Sequence, residues 1–146
     1  MSAVIEAIIR VARSKIHSRD WMYESEKDDF GKNTNKCNKF VYDVLIEAGV
    51  KPPPVVPKYV VFSRPPTAGE WADSAVNIEG WAVVPGPNAG DVIAEAHNYN
   101  DATGHVGIVV GDKQTISASS LVSGVIVQND WGFRRENKPT FRRFKG

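Results

Sequence analysis

The chain has 146 residues, 42% of them hydrophobic and 24% charged, with a formal net charge of +1. That length predicts a single domain over residues 1–146. The near-neutral balance excludes a dedicated nucleic-acid binder, and a lone cysteine excludes an intramolecular disulfide. No run approaches the roughly 20 apolar residues of a membrane span. The N-terminal stretch is broken by Glu6, Arg10, Arg13 and Lys15, so it lacks the apolar core of a secretory signal. The expectation is a soluble protein made in the cytoplasm, which leaves the cell, if it does, by a leaderless route.

Val4, Ile5, Ile8, Ile9, Ala12 and Ile16 recur at helical spacing, with Ser2 placed to cap them. The stretch from Ser18 to Lys36 is polar and loop-like, anchored by Trp21, Tyr23 and Phe30. A second helix is expected to start at Thr34 or Asn35, both good caps, and to bury Phe40, Val41, Val44, Leu45 and Ala48. Gly49 is its C′ residue, and Pro52, Pro53 and Pro54 prevent continuation. Lys51 to Pro66 carries six prolines and predicts an extended connector. Thr67 and Glu70 have capping-box spacing, which predicts a short helix over Thr67 to Asp73.

Pro85 to Gly90 predicts a turn into a strand over Asp91 to Ala96. His105 to Val110 and Thr115 to Ser119 flank a hairpin turn, and Val125 to Gln128 and Thr140 to Phe144 predict further strands. Helices come first and strands later, so the class is α+β with an antiparallel sheet. The late basic residues Arg134, Arg135, Lys138, Arg142, Arg143 and Lys145 are expected to form a solvated face.

Cys37 and His105 carry the chemistry. Cys37 lies in the first turn of the second helix, between Lys36 and Lys39. A helix N-terminus and neighbouring cations favour the thiolate, which is the form that attacks a carbonyl. The bland alternative is a buried core cysteine. Strand alternation puts His105, Gly107 and Val109 on one face and Val106, Ile108 and Val110 on the other, which is the expected core face. A third residue is needed to hold the imidazole. A three-residue loop over Gly111 to Lys113 puts His105 opposite Ser119 and diagonal to Ser117. His97, with Asp91, Glu95 and Asp101 nearby, has no recognised ligand spacing, so no metal is expected. The glycines of residues 104–111 are not a phosphate loop, and no cofactor is implied. Asn129 to Arg134 reads either as a cleft-lining segment or as a turn with a packed Trp131.

At these residues the chain resembles the NlpC/P60 and CHAP superfamily of papain-like cysteine peptidoglycan hydrolases. The resemblance runs from about Trp21 to the C-terminus. It rests on Cys37 at a helix start followed by Phe40 and Val41, on the Gly90-Asp91-Val92-Ile93 turn and strand, and on His105-Val106-Gly107-Ile108-Val109-Val110-Gly111. It implies N-terminal helices packed on an antiparallel sheet, and a hydrolase of amide bonds in peptidoglycan stem peptides. Cys37 and His105 match the dyad residue by residue. The third position falls on Ser117, where relatives carry His, Asn, Gln or an acid, and Tyr23 matches the tyrosine that positions the oxyanion. Lys36-Cys37-Asn38-Lys39 departs from the family's usual Asp-Cys-Ser-Gly. The chain also resembles small type VI secretion amidase effectors, which implies action at the cell wall or periplasm and an immunity protein as inhibitor; a phage lysin domain is the other delivery. The alternatives are a catalytically silent binding module on the same fold and a papain-like hydrolase of another amide or an ester.

Overall fold

The computed structural model describes residues 2–50, 64–96, 104–119, 123–129 and 138–146. Three helices precede six strands: α1 (Ala3–Ser14), α2 (Cys37–Glu47), α3 (Ala68–Ala72), β1 (Trp81–Val84), β2 (Val92–Ala96), β3 (Gly104–Gly111), β4 (Gln114–Ala118), β5 (Ile126–Gln128) and β6 (Thr140–Phe144). The strands form one sheet in the order β1-β6-β2-β3-β4-β5. Every neighbouring pair is antiparallel. The α+β class read from the sequence is the class observed.

The helix ends follow local chemistry. Ser2 accepts the Ile5 N–H at the start of α1. At the end of α2, the Gly49 N–H bonds Ile46 O and the Val50 N–H bonds Leu45 O. That pair is a Schellman motif, and it requires the left-handed φ of +81° that Gly49 adopts. Thr67 and Glu70 form a reciprocal capping box on α3. The connector over residues 51–63 lies outside the described residues.

The core lies on one face of the sheet. Ile8, Val11 and Ala12 of α1 and Phe40, Val41, Val44 and Leu45 of α2 meet Val92, Ala94, Val106, Ile108, Val110, Ile116, Ala118 and Ile126. The four α2 side chains are fully buried. At roughly 1.5–3 kcal/mol for each large apolar side chain, they anchor α2, and so Cys37, on the centre of the sheet. The expected alternation along β3 appears in its core contacts and not in its burial. Residues 104–110 are all buried, so both faces of β3 are covered.

Three differences from the sequence reading have physical causes. β1 was not expected: it has four residues, of which only Trp81 is buried, so it carries no alternation to read. The hairpin turn is tighter than a three-residue loop. Gly111 pairs with Gln114, leaving Asp112 and Lys113 as the turn, and a bulge at Val110 absorbs the extra residue before Val109 pairs with Thr115. Arg142 does not belong to a solvated basic face. It is 2% exposed, and its guanidinium donates to Glu70 O, Trp71 O, Asp73 O and Val76 O, tying β6 to the end of α3. Arg143 is paired with Asp91.

Candidate active site

Cys37 opens α2. Lys36 occupies the N-cap position with no side-chain cap bond. The Cys37 N–H instead donates to Asn35 Oδ1 at 3.2 Å, an Asx turn one residue further back. Thr34, the other cap candidate, donates its hydroxyl to Gly31 O.

The two lysines do not act on the thiol as their sequence position suggests. Lys36 is 2% exposed. Its ammonium donates to Thr34 O at 2.9 Å, Met22 O at 3.1 Å and Tyr23 O at 3.2 Å, and burial pushes its pKa down. The charge organises the loop before α2. Lys39 bridges Asp43 at 2.8 Å and Asp28 at 2.9 Å. Burial pulls the Lys39 pKa down, but hydrogen bonds to Asp43 and Asp28 outweigh it and leave the pKa raised. The hydrogen bond from Lys39 in turn holds Asp28 below its ordinary value. Each cation is answered by its own oxygens. Cys37 itself stands at the N-terminal end of an eleven-residue helix.

His105 is the second residue of β3 and is 3% exposed. Its Nε2 lies 3.3 Å from Ser117 Oγ, a buried contact between neighbouring strands. The hydroxyl can donate or accept there, depending on the ring tautomer. The pairing of Ile108 with Ile116, carried three residues on, puts His105 opposite Ser119 and diagonal to Ser117. Because the bulge takes up one residue, this is the register that the longer loop implied. β3 can begin where it does because Gly104 has no Cβ: one built there would collide with Glu95 O.

A cleft of about 290 Å³ brings these elements together, lined among others by Trp21, Tyr23, Asn35, Lys36, His105 and Ser119. Cys37 follows directly on the wall residues Asn35 and Lys36 and is itself 4% exposed. Tyr23 is held through its backbone, with its N–H on Ser123 O and its carbonyl accepting from Thr34 N–H and Lys36. Trp21 is fixed by its indole N–H on Asp43 at 2.9 Å and by edge contact with Phe40. His97, Asp101, Asp130 and Trp131 lie outside the described residues. Among the described residues no cluster of His, Cys, Asp and Glu could hold a metal ion.

Two residues here were missed in the sequence. The sequence offers Asn35 only as a helix cap. Glu95, 2% exposed, sits directly opposite His105 in the β2–β3 pairing, so the two share a face. Its sequence neighbour His97 drew attention to it only as a scattered acid, and the cross-strand register that matters is not written locally.

A helix-borne cysteine packed against an antiparallel sheet that carries a buried histidine is the papain-like α+β architecture. The CHAP domain family matches residues 27–122, about two thirds of the chain, and the chain belongs to that family. No curated protein matches it. Solved structures share the fold, among them the following two. One belongs to the type VI native effector–immunity complex Tae3–Tai3 from Ralstonia pickettii, at 18% identity and a TM-score of 0.53, covering 99% of both chains. The other is the P60 domain of an M. avium subspecies paratuberculosis antigen, at 17% identity and a TM-score of 0.56, covering 98% of this chain and 96% of that one.

Proposed function

We propose that the chain is a one-domain cysteine amidase or endopeptidase that hydrolyses amide bonds in peptidoglycan stem peptides. The observation that carries this is the contact of His105 Nε2 with Ser117 Oγ, at a cleft lined by His105 and by Asn35 and Lys36, the two residues before Cys37. With Nε2 turned to Ser117, Nδ1 is the nitrogen assigned to the thiol. His105 takes the Cys37 proton as Sγ bonds to the carbonyl carbon and the carbonyl π pair moves to oxygen. Collapse of that adduct breaks the C–N bond, and the amine leaves with the proton from His105. Water, deprotonated by His105, then cleaves the thioester and restores the thiol. Ser117 orients the ring, and Tyr23, which lines the same cleft, positions the oxyanion.

Membership of the CHAP family and the fold shared with a chain of an effector–immunity complex support an antibacterial effector acting on the wall, with an inhibitor protein as its partner. No helix among the described residues is long and apolar enough to cross a membrane. The second reading, a silent binding module, rests on the 4% exposure of Cys37 and on a serine in the orienting position.

Purified sacculi incubated with the protein decide between them. Mass spectrometry is expected to show stem peptides cut at an amide, each cut adding one water. Intact muropeptides with the protein retained on the sacculi would establish the binding module, and intact muropeptides with no retention would sink both readings.

Ser117→Ala is expected to lower kcat by about five- to tenfold, the equivalent of the roughly 1 kcal/mol of a neutral hydrogen bond. Ser117→Asn or Ser117→His is expected to keep or raise activity. A silent Ser117→Ala beside a crippled Ser119→Ala or Asp130→Ala would move the orienting role to another residue.

A further inference from the structure

Lys36 is tied to two parts of the chain at once. Its carbonyl accepts the Phe40 N–H at 2.9 Å, which starts α2. Its ammonium donates to Met22 O, Tyr23 O and Thr34 O. An ammonium has three N–H donors and no acceptor, so these carbonyls use all of them. Lys36 lines the cleft, yet it keeps no N–H for a substrate carboxylate. The segment that it grips is also held from the other side. A Cβ on Gly124 would lie 2.6 Å from Trp21 O and 3.0 Å from Met22 Cα, and the Tyr23 N–H donates to Ser123 O. Trp21 to Tyr23 is clamped between the residues before β5 and the residue that opens α2.

Resting on the hydrolase reading above, we propose that Lys36 is a positioning residue: its ammonium is a built-in cation in a cage of three backbone carbonyls, and it sets Tyr23 in place relative to Cys37. Met22 O and Tyr23 O belong to the two peptide planes that meet at the Tyr23 Cα. Each plane is rigid, so fixing both fixes φ and ψ of Tyr23 and with them the direction in which its side chain leaves the backbone. A charged donor roughly doubles the strength of each of these hydrogen bonds. Without it, three carbonyl oxygens that converge on one point repel one another, and the Met22–Tyr23 segment shifts. The next residue after Lys36 is Cys37, so the link between the thiol and the tyrosine has no flexible chain in it except the lysine side chain, which is 2% exposed. The three oxygens surround a single nitrogen. A planar guanidinium cannot serve them in that way, and a neutral side chain cannot serve them at all.

Lys36→Ala removes the side chain beyond Cβ, and added propylammonium supplies the same atoms back. On a soluble muropeptide the variant is expected to lose about a hundredfold in kcat, the scale of one oxyanion donor, with KM little changed. Propylammonium is expected to restore most of that loss. Propanol, which has no charge, and tetramethylammonium, which has no donor, are expected to restore none. In a Tyr23→Phe background the same substitution is expected to cost little more, since its effect passes through the tyrosine. Alkylation of Cys37 by iodoacetamide forms no oxyanion, and its rate in Lys36→Ala is expected to match wild type. Equal losses with and without Tyr23 would overturn the proposal, as would alkylation that falls in step with kcat, since either marks a lysine that only supports the start of α2. Rescue by propanol as complete as by propylammonium would overturn it as well. If Lys36→Ala does not fold, Lys36→Met keeps the volume without the charge, and the cycle with Tyr23→Phe is read on it; a Met variant that does not fold either would make the lysine a support of the whole domain and overturn the proposal. A wild-type protein that cuts no muropeptide would overturn the hydrolase reading and this inference with it. Cutting by wild type with an undiminished Lys36→Ala would overturn the inference alone.

Discussion

His105→Ala is expected to reduce turnover by about 10⁴-fold or more, because the imidazole serves both acylation and deacylation. The loss is expected in kcat, with substrate binding largely retained. His105 is 3% exposed and contacts Ser117 Oγ, so the variant leaves a buried hydroxyl short of a partner at a cost of about 1–3 kcal/mol. A urea titration beside the kinetics separates that stability loss from lost chemistry. Alkylation of Cys37 by iodoacetamide near neutral pH is expected to slow as well, since the imidazole no longer accepts the thiol proton. Wild-type turnover by a folded His105→Ala protein would remove the dyad.

Cys37→Ala is expected to abolish turnover outright while changing stability by only about 1 kcal/mol, as a small buried side chain gives way to a smaller one. Cys37 is the only cysteine, so native alkylation reports on it alone, and one carbamidomethyl group is expected on the folded wild type. The 4% exposure of Cys37 makes this the sharper test. A catalytic thiol must be reached by its substrate through the cleft beside Asn35, whereas a core cysteine would react only after denaturant is added. Inertness of the folded protein, or residual turnover by Cys37→Ala, would end the nucleophile reading.

The lysines show how a local reading goes astray. Lys36 and Lys39 flank the thiol in sequence and suggest cationic activation. In three dimensions one is enclosed by three carbonyls and the other by two carboxylates. Their partners come from the loop before α2 and from one helical turn ahead, and sequence adjacency to Cys37 says nothing about them. Arg142 is the same case at longer range, since its four carbonyls lie about seventy residues earlier in the chain.

What the sequence determined by itself is whatever nearby residues decide among themselves. The caps at Ser2 and Thr67, the glycine stop at Gly49, the apolar stripe of α2 and the alternation along β3 placed Cys37 at a helix start and His105 on a strand. A hairpin then carried Ser117 to the imidazole. These features arise from hydrogen bonds and side-chain spacing within a few residues. The tertiary structure decided the rest. It put β6, the last strand in the chain, between β1 and β2. It set Glu95 across from His105, and it left the Cys37 N–H in the keeping of Asn35. Strand order and the neighbours of a buried charge depend on packing between segments far apart in sequence, and local periodicity carries no record of such pairings.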